Sequence, residues 1–407
     1  MWVAAIAAML FIVMAQPAEP EAPARRADDG TPVHVAGADR APSESRADLP
    51  VTTPEPGPPA TFRLDGRHTA RSPYIGPTSA EVAWTFETAG RVTAQAVVDA
   101  AGNVYVGSHD GQLYALTSHG TLRWKRFLED RVYSTALLHD GTLYVGSDAN
   151  TFHAIRASDG EILWRIATDD DADSGAVLGA GDVIHFASGR HLYAVSPSGE
   201  VRWRFEAREK IYSTPAVDED GTLYVGSQDD HVYAVAVDGR MRWSYRTHDD
   251  VDSSPVIGDD GTIYCGSDDR RVYALTRDGE LRWSTDVEGY VRAPVALGTD
   301  GSVLAAVYGP RPRLVSLDAA TGDVRWYFPV TVADSSEVGI HSGPLVDREG
   351  HVYFGAHDDY VYSVEPTGDL RWILETAGDV DAPPALAPDG RLYVGSDDGR
   401  LYAIHTP

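Results

Sequence analysis

Residues 211–245 read IYSTPAVDEDGTLYVGSQDDHVYAVAVDGRMRWSY, and this stretch decides the fold. Four runs rich in Val, Tyr, Leu and Trp are separated by the polar turns DEDG, QDD and VDG. Short runs of this kind, bounded by Asp-Gly, are typical of antiparallel strands joined by hairpins. No helical period of 3.6 residues runs through them, which disfavours a helical repeat. The stretch therefore predicts a unit of four short strands.

The unit recurs along the chain. A marker Trp appears eight times, with gaps of 40, 40, 39, 40, 40, 43 and 46 residues. A period near 40 residues with four strands per period predicts a propeller blade. A β-solenoid is the alternative, but its strands are parallel and lack tight Asp-Gly hairpins. We expect the tryptophans to pack between neighbouring blades rather than take part in catalysis. They are Trp84, Trp124, Trp164, Trp203, Trp243, Trp283, Trp326 and Trp372.

The phase of the repeat predicts how the ring closes. The first recognisable strand surrounds Trp84, and the last is Arg400–Ile404. We expect the Trp84 strand to supply the fourth strand that the last unit lacks, because this pairing removes open sheet edges. The predicted fold is therefore all-β, an eight-bladed β-propeller of four-stranded blades in residues 61–407.

The chain before the repeat has a different character. The stretch WVAAIAAMLFIVM at residues 2–14 contains no charge and is shorter than a typical membrane span. We interpret residues 1–16 as a signal-peptide-like or membrane-anchor segment, the alternative being a buried N-terminal helix. Residues 17–60 are rich in Pro, Ala and acidic residues and are interpreted as a disordered linker. We expect an exported protein of the periplasm or cell envelope that meets the membrane only through its N-terminal segment.

Composition excludes several functions. The 407 residues include 34 Lys+Arg and 61 Asp+Glu, a net charge of −27, which argues against nucleic-acid binding. The single cysteine, Cys265, excludes an intramolecular disulfide and replaces a core Val of the repeat, so we expect a small buried apolar side chain. The 14 histidines form no His-x-x-x-His motif, and the Asp runs lack the spacing of a calcium loop. We predict no catalytic residue, no metal site and a monomer.

The repeat also has a recognisable signature. The pattern G-x-L-Y-V-G-S-x-D-G-x-L-Y-A-L, followed by a Gly turn and Trp, resembles the PQQ-like (pyrroloquinoline quinone) repeat family of β-propellers. It is carried by Gly102–Trp124, Ala154–Trp164, Leu317–Trp326 and Gly390–Ile404. The family includes quinoprotein dehydrogenases and non-enzymatic binding propellers of the BamB type. The resemblance implies the propeller fold for either branch.

The residues favour the non-enzymatic branch. The resemblance implies that a quinoprotein dehydrogenase would carry long insertions, a Cys-Cys disulfide over the quinone and Glu/Asn/Asp calcium ligands. The blades here are near minimal, and no such ligand set can be matched. We therefore expect a binding scaffold without a cofactor, similar to BamB, with a protein partner in the envelope. A PQQ-dependent dehydrogenase-like quinoprotein and a carbohydrate- or surface-recognition propeller remain the alternatives.

The connections between strands predict where a partner binds. Fourth-to-first and second-to-third connections share one rim and vary between units, as expected of a recognition surface on a constant scaffold. The longest of them, Tyr327 to Ser342, is the candidate partner-contacting loop. One position at the start of each first strand is expected to surround the mouth of the central channel, where it would suit a cationic, polyhydroxylated or peptide ligand. A water-filled mouth with partly self-paired side chains is the alternative. The positions are Thr93, Tyr133, Asp173, Tyr212, Asp252, Arg292, His341 and Asp381.

Overall fold

A computed structural model of the protein describes residues 60–330 and 339–406. In these ranges the chain forms eight four-stranded antiparallel sheets in a ring, which confirms the predicted all-β, eight-bladed β-propeller. The helical structure there is the 3₁₀ turn Ala180–Asp182, and nothing in the described ranges has the helical length and apolarity needed to span a bilayer. The predicted signal or anchor segment and the linker up to residue 59 lie outside the described residues.

The first strand of each blade is the shortest and lies innermost. The sequence IYSTPAV predicts up to seven strand residues, but only Ala216–Val217 pair with the next strand. Pro215 has no N–H to donate to the neighbouring strand. The Ser213 hydroxyl takes the place of a main-chain partner, since it accepts a hydrogen bond from the N–H of Gly226 (2.8 Å) and donates one to its C=O (2.9 Å). Blades 1 to 8 begin with β2 (Val97–Val98), β6 (Leu137–His139), β10 (Val177–Leu178), β14 (Ala216–Val217), β18 (Val256–Ile257), β22 (Ala296–Leu297), β26 (Leu345–Val346) and β30 (Ala385–Leu386).

The two middle strands of each blade supply the core. Both of their faces pack against neighbouring blades, so nearly every side chain is buried rather than every second one. The second strands are β3 (Val104–Gly107), β7 (Thr142–Ser147), β11 (Ile184–Ser188), β15 (Leu223–Ser227), β19 (Ile263–Gly266), β23 (Ser302–Val307), β27 (Val352–Gly355) and β31 (Leu392–Gly395). The third strands are β4 (Gln112–Leu116), β8 (Thr151–Arg156), β12 (His191–Val195), β16 (His231–Val235), β20 (Arg271–Leu275), β24 (Arg313–Asp318), β28 (Tyr360–Val364) and β32 (Arg400–His405).

The fourth strand of each blade is the outer edge, and its side chains alternate between exposed and half-buried. In blade 8 this strand comes from the front of the repeat region, where Glu81 pairs with His405 and Glu87 with Arg400. The outer strands of blades 1 to 8 are β5 (Leu122–Phe127), β9 (Ile162–Ala167), β13 (Val201–Glu206), β17 (Met241–Arg246), β21 (Leu281–Asp286), β25 (Val324–Pro329), β29 (Leu370–Glu375) and β1 (Glu81–Glu87).

Each marker Trp contacts the next blade of the ring. Trp243 of blade 4 covers Gly279 of blade 5, where an added Cβ would lie 2.7 Å from the indole. Its Nε1 donates a hydrogen bond to the carbonyl of Arg277 (2.7 Å). Only a residue without a side chain allows this approach, and Gly279 also has a φ of 83°. The same contact joins Trp84 to Gly120, Trp124 to Gly160, Trp164 to Gly199, Trp203 to Gly239, Trp283 to Gly322 and Trp326 to Gly368, while Trp372 donates to the carbonyl of Pro77.

Residues 60–76, here called the central segment, run inside the ring. The sequence TFRLDGRHTARSPYIG lies within the predicted propeller domain but has no counterpart in the repeat, so it had no predicted position. It supplies hydrogen-bond partners to the inner strands, which would otherwise present a free edge. The main-chain bonds join Ala60 to Leu138, Gly66 to Val217, Arg67 to Ile257, Thr69 to Leu297, and both Ala70 and Ser72 to Val346.

Arg63 lies at the centre of this arrangement, with 1% of its surface exposed. Its Nη2 donates to the carbonyl of Val295 in blade 6 (2.6 Å), and its backbone N–H donates to Gln95 Oε1 of blade 1 (2.9 Å). Gln95 in turn donates to the carbonyl of Pro384 in blade 8 (2.7 Å). Burial lowers the pKa of Arg63 to about 9, although the charge of Asp65 opposes the shift. Arg63 thus links blade 6 to blade 1 across the inside of the ring.

Candidate functional site

Part of the central segment lies close to the mouth residues of the variable rim. Phe62 and Arg63 of the central segment pack beside Gly175 and Gly343. Each of these glycines follows a predicted channel-mouth residue by two positions. The central segment therefore lies directly below the mouth.

The structure brings the eight predicted mouth residues together with a second set that the sequence analysis missed. Members of this set stand at the end of the second strand, immediately before its turn, in every blade except blade 3. In most cases the residue contacts the mouth residue of the following blade, so the pairs lie at blade boundaries. The signal was available in the sequence, since all seven follow Gly-Ser, Gly-Ala or Ala-Val in the same phase of the repeat. The second set is His109, Asp148, Gln228, Asp268, Tyr308, His357 and Asp397.

Asp148 and Asp173 form the pair between blades 2 and 3. Burial, a hydrogen bond from the partner carboxyl and its negative charge together raise the pKa of Asp148 to about 8. Burial and the charge of Asp171 also raise the pKa of Asp173. Because the pKa of Asp148 lies above 7, the pair retains a proton at neutral pH.

Two further carboxylates at the mouth have raised pKa values, although Asp397 Oδ2 is paired with Arg91 Nη1 (2.9 Å). Burial and the charges of Asp268 and Asp250 raise the pKa of Asp252 to about 6. Burial and the charge of Asp381 do the same for Asp397, whose pKa is about 6. Among the described residues, one carboxylate oxygen of Asp252 and one of Asp397 have no hydrogen-bond partner. The raised pKa values indicate that a positive group at the mouth would stabilise the ionised form of these carboxylates.

Arg292 is the arginine among the mouth residues, and its guanidinium forms a salt bridge with Asp268. Its guanidinium donates to both oxygens of Asp268, at distances between 2.8 and 3.1 Å. It also lies over the rings of Tyr290 and Tyr308, 5.2 and 5.1 Å from their centroids. The bidentate pair bridges blades 5 and 6 and leaves the net character of the mouth acidic.

His341 and Asp381 meet His357 of the second set between blades 7 and 8. The two imidazole rings are stacked with centroids 5.0 Å apart, and His357 Nε2 contacts Asp381 Oδ1. Burial lowers the pKa of His341. Burial would raise the pKa of Asp381, but the hydrogen bond from His357 and the charges of the two histidines hold it below its usual value. Residues 331–338 of the candidate partner-contacting loop lie outside the described residues.

The remaining mouth residues present aromatic and hydroxyl groups. Tyr133 and Tyr212 keep 37% and 40% of their surface exposed. The ring of His109 lies 4.0 Å from that of Tyr133, and His109 Nε2 is hydrogen-bonded to Thr93 Oγ1 (2.8 Å). Tyr212 lines a small recess with Lys210, at the boundary where blade 3 lacks a member of the second set. Planar exposed rings are suited to stacking against a ligand.

The opposite rim uses its carboxylates differently. Asp220 accepts hydrogen bonds from the N–H and hydroxyl of Thr222 (3.0 and 2.6 Å) and from Arg242 (2.7 Å). Asp260 repeats this arrangement with Thr262 and Arg282 in the next blade. These carboxylates close local turns, which leaves the variable rim as the candidate site.

The mouth does not fit a pyrroloquinoline quinone. That cofactor carries several carboxylates and requires cations around it. The candidate cation, Arg292, is paired with Asp268, and the neighbouring carboxyls Asp148, Asp173 and Asp252 would repel an anion.

Comparison with known proteins agrees with this architecture. The sequence profile of the family described as outer membrane protein assembly factor BamB matches residues 74–190 and 188–406. The chain belongs to this BamB family. Membership confirms the predicted family of PQQ-like repeat propellers. The chain is also similar to a curated protein, the serine/threonine-protein kinase AfsK of Streptomyces griseus. The two are 33% identical over 98 residues, and this match covers 23% of the chain and 12% of the kinase.

Solved structures show the same fold at low sequence identity. BamB from Moraxella catarrhalis is 16% identical, with a TM-score of 0.66, and the match covers 80% of this chain and 99% of that protein. The quinohemoprotein alcohol dehydrogenase of Comamonas testosteroni is 15% identical, with a TM-score of 0.72 and coverage of 84% and 79%. A europium-containing methanol dehydrogenase is 14% identical, with a TM-score of 0.69 and coverage of 82% and 89%. The BamB family thus shares its ring with enzymes and non-enzymes alike.

Proposed function

We propose that this protein is a non-enzymatic binding scaffold of the cell envelope, which holds a protein partner on its variable rim. One observation carries the proposal: carboxylates at the mouth of the variable rim differ in their hydrogen bonding from carboxylates in the turns of the opposite rim. On the opposite rim, carboxylates such as Asp220 are consumed in local turns, whereas Asp252 at the mouth keeps an unpartnered oxygen among the described residues. Membership in the family described as an outer membrane protein assembly factor supports the same role.

The chemistry of the mouth defines the partner. A cationic group that approaches buried carboxyls with raised pKa values stabilises their ionised form. The partner segment should therefore carry Lys or Arg. The exposed rings of Tyr133 and Tyr212 provide flat contact area beside the acidic groups. We propose that the protein is exported, works without a cofactor and acts as a monomer.

The test compares variants of the two rims. Asp252→Asn removes charge at the mouth, and Asp220→Asn is the matched control on the opposite rim. The wild-type protein and both variants are used to capture envelope proteins, with quantitative identification of what is retained. We expect one partner to be lost in Asp252→Asn and kept in Asp220→Asn. Equal capture by all three proteins would contradict the proposal.

The same proteins discriminate the alternatives. Quinone absorbance and dye reduction with alcohols or sugars, after incubation with pyrroloquinoline quinone and calcium, would support a dehydrogenase. The likeness to quinoprotein folds makes this measurement worthwhile. Binding to a glycan array that is lost in Asp252→Ala or Asp381→Ala would instead support carbohydrate recognition.

A further inference from the structure

The boundary between blades 7 and 8 brings three metal-ligating groups together. His341, His357 and Asp381 each offer one ligand atom, and these atoms lie within 4.8 Å of one another. Ligand atoms around a tetrahedral Zn²⁺ are separated by about 3 to 3.5 Å, because Zn–N and Zn–O bonds are about 2 Å long. Small side-chain rotations would therefore bring the three groups to one ion. We propose that His341, His357 and Asp381 form a binding site for a divalent first-row transition metal, with Zn²⁺ the best match.

The ligand set selects the class of metal. Two imidazoles and one carboxylate suit Zn²⁺, Cu²⁺ or Ni²⁺, whereas Ca²⁺ and Mg²⁺ prefer sets made entirely of oxygen. For a metal to bind His357 Nε2, the hydrogen between Nε2 and Asp381 Oδ1 leaves to water from an imidazolium or moves to Nδ1 of a neutral ring, and two coordinate bonds then replace one hydrogen bond.

The surroundings hold the ligands in position and favour a cation. The ring of Tyr308 packs edge-on against His341 and His357, with centroids 4.6 and 5.8 Å away, and keeps the two imidazoles beside each other. The negative charges of Asp379 and Asp397 act on the same pocket. Groups that surround metal ligands orient them and raise the affinity for the metal ion.

The chain offers its own controls. His109 occupies in blade 1 the position that His357 occupies in blade 7, but it pairs with Thr93 and Tyr133 rather than with a second histidine. Asp249 belongs to an all-carboxylate cluster with Asp230 and Asp250, in which no imidazole takes part. Substitutions at His109 and Asp249 therefore separate the proposed site from adventitious metal binding elsewhere on the rim.

The experiment is equilibrium dialysis of the full chain against ZnCl₂ at neutral pH, with metal content measured per chain. We expect one Zn²⁺ per wild-type chain, an affinity about tenfold or more lower in each of His341→Gln, His357→Gln and Asp381→Asn, and no change in His109→Gln or Asp249→Asn. Binding of Co²⁺ should give visible d–d bands in the wild type that Asp381→Asn removes. This conservative variant keeps a hydrogen-bond acceptor for His357, so it serves if His357→Gln does not fold. Absence of Zn²⁺ binding at micromolar concentration, or equal binding in Asp381→Asn, would overturn the proposal. The outcome does not depend on whether a protein partner is found.

Discussion

Asp148 of blade 2 and Asp173 of blade 3 face each other across a blade boundary and retain one proton between them at neutral pH. The pair lies at the mouth of the ring, and the central segment contacts the inner strands of the same ring. It has a measurable effect on stability, because its protonation differs between the folded and unfolded states.

Asp148→Asn should change how stability depends on pH. The pKa of Asp148 is about 8 in the folded protein, against an ordinary value of 3.8, so the folded state binds the additional proton between these limits. The free energy of unfolding of the wild type therefore falls as pH rises from about 4 through about 8. Asn needs no proton, so Asp148→Asn should flatten this decline and be more stable above pH 8 by about 1 to 2 kcal/mol, allowing for solvent screening.

Urea unfolding at a series of pH values measures this effect. Asp159→Asn is the control, because the exposed Asp159 is paired with Arg156 and has a lowered rather than raised pKa. If Asp148→Asn and Asp159→Asn follow the same pH profile, the shared proton is not a feature of the folded protein.

Gly279→Ala should destabilise the ring more than a backbone effect alone would. Both Gly279 and Gly141 have positive φ values, 83° and 70°, so alanine costs about 1 kcal/mol at either position. At Gly279 the added methyl also meets the indole of Trp243, whereas at Gly141 nothing lies within 4 Å. We expect Gly279→Ala to lower the free energy of unfolding by about 2 kcal/mol more than Gly141→Ala. Equal losses would show that the indole contact is not tight.

Removal of the central segment should weaken the whole ring. A chain that begins at residue 77 lacks the main-chain bonds to Val217, Ile257, Leu297 and Val346 and the buried Arg63. At about 1 kcal/mol for each hydrogen bond, together with apolar burial, the loss should be about 3 to 6 kcal/mol. A chain that begins at residue 60 is the matched control, with denaturant unfolding as the measurement. Equal midpoints for the two chains would contradict the structural role of the segment.

Cys265 should be inert in the folded protein and report its unfolding. It is fully buried on β19, and burial raises the pKa of its thiol to about 12, so it presents almost no thiolate at neutral pH. A chromogenic disulfide reagent should label about one thiol per chain only after denaturant is added. Rapid labelling of the native protein would show that blade 5 opens locally.

The repeat was sufficient to predict the strands, the ring and one residue of each mouth pair. Trp243 and Gly279 can be aligned by eye because both recur at a fixed phase. The length of the inner strands was overestimated, since IYSTPAV has strand-forming residues throughout but Pro215 and the Ser213 side chain end the ladder. The strand propensity of a residue does not show which side-chain hydroxyl will replace a main-chain hydrogen-bond partner.

Features that depend on contacts across the ring could not be predicted. The central segment has no repeat period, and its partners are distributed from Leu138 to Val346. His341, His357 and Asp381 are 16 and 24 residues apart, a spacing that matches no ligand motif. Their proximity arises only because consecutive blades stand side by side.

The central segment has a kinetic consequence. During synthesis this segment leaves the ribosome early. The N–H of Gly76 donates a hydrogen bond to the carboxylate of Asp347, which is synthesised 271 residues later. Contacts of such large sequence separation slow folding, because the entropy of closing a long loop is lost before the contacts can stabilise the chain. The first part of the domain to be synthesised can therefore complete its contacts only after nearly the last part has been made, so we expect the ring to form around this segment rather than blade by blade.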